Sequence, residues 1–164
     1  QWELCYNEQI TRYFFKGRQR MKRERISQMA AVLHAPVEQV WNVVTDNTDW
    51  SWRSDLCAIK EKPDGVTFIE YPKKGSETVF RIVKKDPYRL YAFHMEHAMF
   101  TGEWTGEFSK APSGGTCIVF TERLRIRNPV IWLLSFALMD LHGMQERYFH
   151  DLRVKLGEKS DEEA

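Results

Sequence analysis

Few residues in this chain have the types and spacing that catalysis or metal binding requires. The three cysteines, Cys5, Cys57 and Cys117, are odd in number and widely separated, and no CxxC or HExxH spacing occurs. Metal sites need patterned ligands and disulfide frameworks need paired cysteines. No nucleophile–base pair and no phosphate-binding glycine loop can be recognised either. The sequence therefore predicts no metal, no cofactor and no disulfide framework, and it favours a reducing, cytoplasmic compartment.

The bulk composition predicts one globular domain. The chain has 164 residues, of which 43% are hydrophobic and 29% charged, and its net charge is +1. Such a chain is long enough to bury a substantial core. The balanced charge argues against a nucleic-acid partner, because dedicated nucleic-acid binders usually carry a strong basic excess. Aromatic residues at 13% indicate either a roomy aromatic-lined interior or a densely filled core.

The longest segment with helical spacing is 128–156. Asn128 can cap its start, Pro129 suits the first turn, and Gly157 can end it. The apolar run within it is about half as long as the roughly twenty residues that cross a bilayer. We therefore expect a core helix, with an exposed apolar end as the alternative. One stripe of this helix carries Leu134, Leu138, Leu141, Gln145, Tyr148 and Leu152.

The first 25 residues differ from the rest, since aromatic residues come first and a basic run follows. The preferred interpretation is a helix that packs on the domain with its basic face in water. The alternative is a membrane contact, with aromatics at the headgroup level and cations on anionic lipid. The chain begins at Gln1, so an upstream segment that attaches it to a membrane is also compatible with the sequence. The predicted domain organisation is this segment (1–25), a ligand-binding domain (26–157) and an acidic tail (158–164).

The middle of the chain alternates short strands with clear turn signals. A first strand begins at Ile26, Pro36 opens a short helix, and a second very short helix is expected around Trp50 and Trp52. Turns this short force neighbouring strands to pair antiparallel. Six further strands are predicted at 57–62, 66–71, 77–84, 89–97, 100–110 and 116–127.

This order of elements resembles the START/polyketide-cyclase superfamily, also called SRPBCC. The resemblance is carried by the segments 35–41 (APVEQVW), 50–52 (WSW), 86–90 (DPYRL), 102–104 (GEW) and 114–116 (GGT), and it covers about residues 26 to 156. It implies an α+β helix-grip fold, in which a curved seven-stranded antiparallel sheet wraps around a long C-terminal helix. Members of the superfamily bind sterols, lipids and polyketides in a cavity between sheet and helix, and a minority are enzymes.

The family geometry implies which side chains of the last strand face the cavity. It turns Glu122 inward, onto an otherwise apolar face, where a buried carboxylate needs a cation, a donor or a raised pKa. Arg81, His94 and His142 are the candidate partners of Glu122. Glu122 either reaches water or a structural arginine, or it anchors a ligand or acts as a general acid or base.

The strand at 89–97 has two possible orientations. The family register favours an inward face with His94 and Glu96, whereas hydrophobicity favours the face with Tyr91, Phe93 and Met95. The first orientation would make catalysis by Glu122 and His94 credible, and the second would leave a mainly apolar site.

The sequence favours a non-catalytic carrier or sensor of a hydrophobic small molecule, as a monomer or homodimer. The first alternative is a cyclase or dehydratase that uses Glu122. The second is a membrane- or protein-interaction module that uses the apolar start of the last helix and the basic N-terminal segment. The residues expected to line the cavity are Trp52, Phe68, Arg81, His94, Trp104, Phe108, Ile118, Phe120, Glu122, Leu134, Leu138, Leu141 and Gln145.

Overall fold

The computed structural model describes residues 23–112 and 114–158. Most of the N-terminal segment 1–25, and the tail beyond Glu158, therefore lie outside the described residues. The strands are β1 (Glu24–Leu33), β2 (Leu56–Glu61), β3 (Thr67–Pro72), β4 (Thr78–Asp86), β5 (Leu90–Glu96), β6 (Phe100–Lys110) and β7 (Thr116–Ile126). The helices are α1 (Val37–Thr45), α2 (Pro129–Leu138) and α3 (Leu141–Lys155).

The strands form one antiparallel sheet in the order β1-β7-β6-β5-β4-β3-β2. Register shifts between Leu56 and Ala58 and between Ile82 and Lys84 interrupt the ladders, and such bulges increase the bend of a sheet. Helix α3 packs on the resulting inner face, where Phe120 stacks on Phe149 at 4.8 Å. The α+β helix-grip fold expected from the resemblance is confirmed.

The C-terminal segment differs from the expected single helix, because it breaks between α2 and α3. Met139 leaves the helical region with φ −118° and ψ 100°, and the carboxylate of Asp140 accepts a hydrogen bond from the backbone N–H of Gly143 at 2.9 Å. Asp140 thus caps a new helix. A side chain at Gly143 would meet that carboxylate, so Asp140 would have to shift to accommodate one.

The predicted second short helix around Trp50 and Trp52 is also absent. Residues 46–55 form turns, in which Asp46 accepts hydrogen bonds from the N–H and hydroxyl of Thr48 at 2.9 and 2.6 Å. Local side-chain hydrogen bonds of this kind stabilise turns at the expense of helix. This turn segment forms part of the wall of the cavity described below.

The end of α3 is closed as the sequence predicts. Gly157 has a positive φ of 74°, and the N–H of Glu158 donates to the carbonyl of Arg153 at 2.9 Å. Glu158, the first residue of the predicted acidic tail, accepts a hydrogen bond from the N–H of Ala35 at 2.9 Å. It therefore ties the end of α3 to the link between β1 and α1.

Candidate functional site

A cavity of about 390 Å³ lies between the inner face of the sheet, the turn segment 46–55 and the start of α3. Small-molecule sites typically occupy roughly 300–1,000 Å³ and are lined mainly by apolar and aromatic groups. The apolar and aromatic lining here comprises Val43, Val44, Trp50, Trp52, Leu56, Ile59, Phe68, Phe80, Tyr91, Phe93, Met95, Met99, Phe100, Trp104, Phe120, Leu124, Met139, Leu141, Met144 and Tyr148.

Stacked rings fill the space beside the two glycines of β6. Trp104 lies parallel to Phe93 at 4.7 Å, and a side chain at Gly106 would meet the indole of Trp104. A side chain at Gly102 would meet Met95 and Leu124. The glycines therefore make room for neighbouring side chains of the wall, and the open volume lies elsewhere.

A charged cluster forms part of the cavity wall. The guanidinium of Arg53 donates two hydrogen bonds to Asp55, at 2.9 and 2.7 Å, and lies 3.4 Å from a carboxylate oxygen of Glu70. It also lies 4.6 Å from the ring centre of Tyr148. Bidentate pairing and a stacked aromatic ring are the contacts that suit arginine in a partly buried position.

Burial and charge have opposing effects on this cluster. Burial raises the pKa of Glu70; Arg53 opposes that rise and Asp55 adds to it. Burial tends to lower the pKa of Arg53, but Glu70 and Asp55 outweigh this effect and hold it above its usual value. Burial also raises the pKa of Tyr148, against the opposing charge of Arg53. Arg53 thus remains charged and holds the turn segment against β3.

Glu122 faces the same cavity from β7, and its carboxylate has no partner among the described residues. Its neighbours across the sheet are Trp104 and Ser27, and Ser27 is hydrogen-bonded to Gln145 at 2.8 Å. The guanidinium of Arg25 donates to the carbonyls of Ser135 and Met139. No group within residues 23–112 and 114–158 donates a hydrogen bond to Glu122. Its nearest polar neighbours are therefore occupied elsewhere.

This isolation changes the acidity of Glu122. Burial, assisted by the charge of Glu70 and opposed by Arg25, raises the pKa of Glu122 from 4.5 to about 7. A carboxyl group with this pKa exchanges its proton near neutral pH, so it can donate or accept a hydrogen bond.

Tyr91 adds a second unsatisfied polar atom to the wall. Its hydroxyl is buried, and the side chain of Asn47 approaches it without completing a hydrogen bond of good geometry. Burial raises the pKa of Tyr91 to about 12, and the nearby side chain of Asn47 partly opposes the rise. The hydroxyl is therefore neutral at physiological pH and available to a ligand or a water molecule.

The chain matches the sequence profile of a family described as "Polyketide cyclase / dehydrase and lipid transport" over residues 25–153. The chain belongs to this family. No curated protein matches the chain. Membership of the family agrees with the START-like fold of the structure, but it does not identify the ligand.

Solved structures resemble this member of the family in fold. A conserved protein from Geobacillus kaustophilus has a TM-score of 0.68 at 12% identity, covering 81% of this chain and 95% of its own. A START superfamily protein from Mycobacterium smegmatis has a TM-score of 0.61 at 11% identity, with coverages of 79% and 95%. A protein from Rhizobium leguminosarum has a TM-score of 0.60 at 18% identity, with coverages of 80% and 93%. Identities this low show the fold alone.

Several residues expected in the cavity of this START-like domain do line it. They come from the turn segment, the sheet and α3, which are brought together only in the folded chain. Whether these side chains contact a ligand stays a prediction. The residues are Trp52, Phe68, Trp104, Phe120, Glu122, Leu141 and Gln145.

The prediction that Arg81 and His94 line the cavity was wrong. They pair with each other across β4 and β5 on the outer face of the sheet, and both are exposed. Tyr91, Phe93 and Met95 occupy the inner face of β5 instead. Hydrophobicity was therefore the correct guide to this strand, because one face of β5 had to be buried. His94 is removed as a catalytic candidate.

Three further residues lie elsewhere. Phe108 and Ile118 are buried in the core against α1, where the ring of Phe108 lies 5.1 Å from Trp41. Leu134 is 49% exposed on α2, because the break at Asp140 turns this helix away from the cavity. The side chain of Leu138 is not among those that the structure describes. The continuous stripe predicted for a single helix therefore does not form.

Sequence reasoning missed Arg53 and Glu70. Glu70 is two residues from Phe68, so strand alternation places both on the inner face. That spacing was the available signal. No comparable pattern points to Arg53, which reaches Glu70 only because the turn segment folds back on β3.

In the part of the chain described, no group of three metal-ligating side chains occurs. No described helix is long and apolar enough to cross a membrane.

Proposed function

We propose that this domain binds an apolar small molecule with one polar group in the cavity, as a carrier or sensor. The single observation that carries the proposal is an open, aromatic-lined volume of about 390 Å³ containing the unpartnered Glu122. Enclosure of apolar surface contributes about 25 cal/mol per Å², so a ligand of this kind can reach micromolar affinity with little polar help.

Glu122 is proposed to anchor the polar group of the ligand. A hydroxyl or carbonyl can accept the proton of the neutral carboxyl, and an amine can pair with its ionised form. An anionic ligand group is disfavoured, because Glu70, Asp55 and Asp46 also face this space. Among the described residues, Arg53 and Lys74 are the arginine and lysine of the lining, and Arg53 is already paired with Asp55 and Glu70. The proposed ligand class is therefore a neutral or cationic amphiphile.

Native mass spectrometry of protein purified from its host tests for a bound molecule, and titration with Nile red measures binding directly. Met144→Trp places a large ring at an exposed position of the lining, and we expect it to weaken Nile red binding several-fold. Val154→Trp is the matched control, since Val154 lies on the same helix, is 60% exposed and is not part of the lining. A wild-type protein without co-purified ligand or Nile red binding would overturn the proposal.

The second candidate function is proton transfer by Glu122 to or from a bound carbonyl compound. It is supported by the pKa of about 7, which suits a general acid or base at neutral pH. Of the three predicted partners, Arg81 and His94 face away, and His142 lies 3.4 Å from Glu146 on the exposed side of α3. Glu122 would therefore act without a partner from the described residues. Glu122→Gln would then abolish turnover while ligand affinity stays within a few-fold of wild type; retained turnover would exclude this role.

A further inference from the structure

Helix α2 presents an apolar surface to the solvent. Val130, Leu133, Leu134 and Phe136 are between 49% and 66% exposed, whereas its only polar side chain, Ser135, is 2% exposed. A surface helix of a soluble domain normally has the opposite arrangement. Contiguous exposed apolar side chains of this kind mark a site of contact with a protein or a membrane.

This helix is fixed in its orientation. The guanidinium of Arg25 donates to the carbonyls of Ser135 and Met139 at the end of α2 and lies 4.7 Å from the ring centre of Phe136. The rings of Trp132 and Phe136 meet edge to face at 5.3 Å. The apolar side chains are therefore held outward by specific contacts.

Positive charge lies at the start of α2. Arg23 and Arg127 are exposed there, and the Arg23 guanidinium donates to the carbonyl of Arg127 at 2.6 Å. Helix α2 itself carries no acidic residue. The sequence before Arg23 is also basic, with Lys16, Arg18, Arg20 and Lys22, but these residues lie outside the described part of the chain. Apolar side chains beside cations complement a bilayer that contains anionic lipid.

The residues that follow the apolar surface of α2 in the sequence line the cavity. Met139, Leu141 and Met144, which follow α2 directly, line the cavity, and Met144 is 57% exposed. The cavity lining thus reaches solvent within two helical turns of α2.

We propose that α2 docks on the surface of an anionic bilayer, with Leu133 and Phe136 in the boundary between headgroups and acyl chains and Arg23 and Arg127 on the lipid phosphates. The helix lies on the bilayer and does not span it. Docking requires no ligand in the cavity, so it is tested separately from ligand binding.

The test is co-sedimentation of the full chain with vesicles of phosphatidylcholine containing about one-third phosphatidylserine. The wild-type protein is expected to sediment with these vesicles, to bind pure phosphatidylcholine less, and to dissociate as salt is added. Leu133→Asp and Phe136→Asp are each expected to lower the bound fraction at least about fivefold. Val154→Asp, an equally exposed apolar position on α3, is expected to bind like wild type.

Three results would overturn the proposal. The first is a wild-type protein that ignores anionic vesicles. The second is equal binding of wild type, Leu133→Asp and Phe136→Asp, which would assign binding to the basic N-terminal residues alone. The third is a dimer in light scattering of the free protein that Leu133→Asp converts to a monomer, which would identify a second copy as the partner of α2.

Discussion

At the scale of single residues, Glu122 is the most unusual group in the protein. A carboxyl group in an aromatic cavity loses its hydration, and Arg25 compensates only part of that loss because its guanidinium is bonded to α2. Such groups occur often at functional sites, since an apolar interior gains nothing from an unpartnered carboxylate.

Glu122 makes folding stability depend on pH. Its pKa is raised from 4.5 to about 7, so the folded state binds more protons than the unfolded state between these values. Stability contributed by Glu122 is therefore lost as pH rises through this window, by on the order of 3 kcal/mol. We expect Glu122→Gln to be more stable than wild type at pH 8 and equally stable near pH 4, as measured by urea unfolding. Glu103→Gln, on the exposed outer face, serves as the control.

The charge of the ligand is tested with alkyl chains of one length that end in a hydroxyl, an amine or a carboxylate. We expect the carboxylate to bind about tenfold more weakly than the alcohol at pH 8, because it meets the ionised Glu122. Isothermal titration calorimetry measures each affinity. Glu122→Gln should narrow the difference in affinity between the carboxylate and the alcohol. If the carboxylate bound wild type more tightly than the alcohol and the amine, the proposed ligand class would be contradicted.

At the scale of elements, the break between α2 and α3 decides what each helix does. One unbroken helix would carry Leu134 toward the cavity with Leu141, whereas the break leaves α2 at the surface and places Leu141 in the wall. Asp140 directs this break through its cap on the N–H of Gly143. Removal of an N-cap side chain typically costs about 1 kcal/mol.

We therefore expect Asp140→Ala to lower the free energy of unfolding by about 1 kcal/mol. Asp140→Asn, which retains a capping oxygen, should stay close to wild type. Urea unfolding measures both values. If the two variants were equally destabilised, the loss would arise from the negative charge and not from the cap.

At the scale of the whole molecule, the cavity is enclosed by parts of the chain that are far apart in sequence. The turn segment 46–55, the inner face of the sheet and α3 meet around it, and Arg53 and Glu70 connect two of these parts. A ligand in this space contacts all three. Ligand binding should therefore stabilise the turn segment, the sheet and α3 together against unfolding.

We expect a bound amphiphile at one hundred times its dissociation constant to stabilise the protein by about 2.7 kcal/mol. Thermal unfolding with and without the alkyl alcohol measures the shift. Met144→Trp, which narrows the cavity and weakens binding several-fold, should reduce this stabilisation by about 1 kcal/mol at the same ligand concentration, whereas Val154→Trp should keep it. An equal shift in both variants would place the binding site outside the cavity.

The sequence by itself determined the seven strands, the turns between them, the first helix and the antiparallel order of the sheet. These features follow from local patterns: alternation, proline and glycine positions, and short connections. The tertiary structure decided between the two orientations that the sequence left open for the strand at 89–97. It alone showed that Arg53 reaches Glu70 and that Glu122 has no partner among the described residues. The physical reason is that hydrophobic periodicity reports which side of an element is buried. The partners of a buried charge depend on how distant segments pack around it.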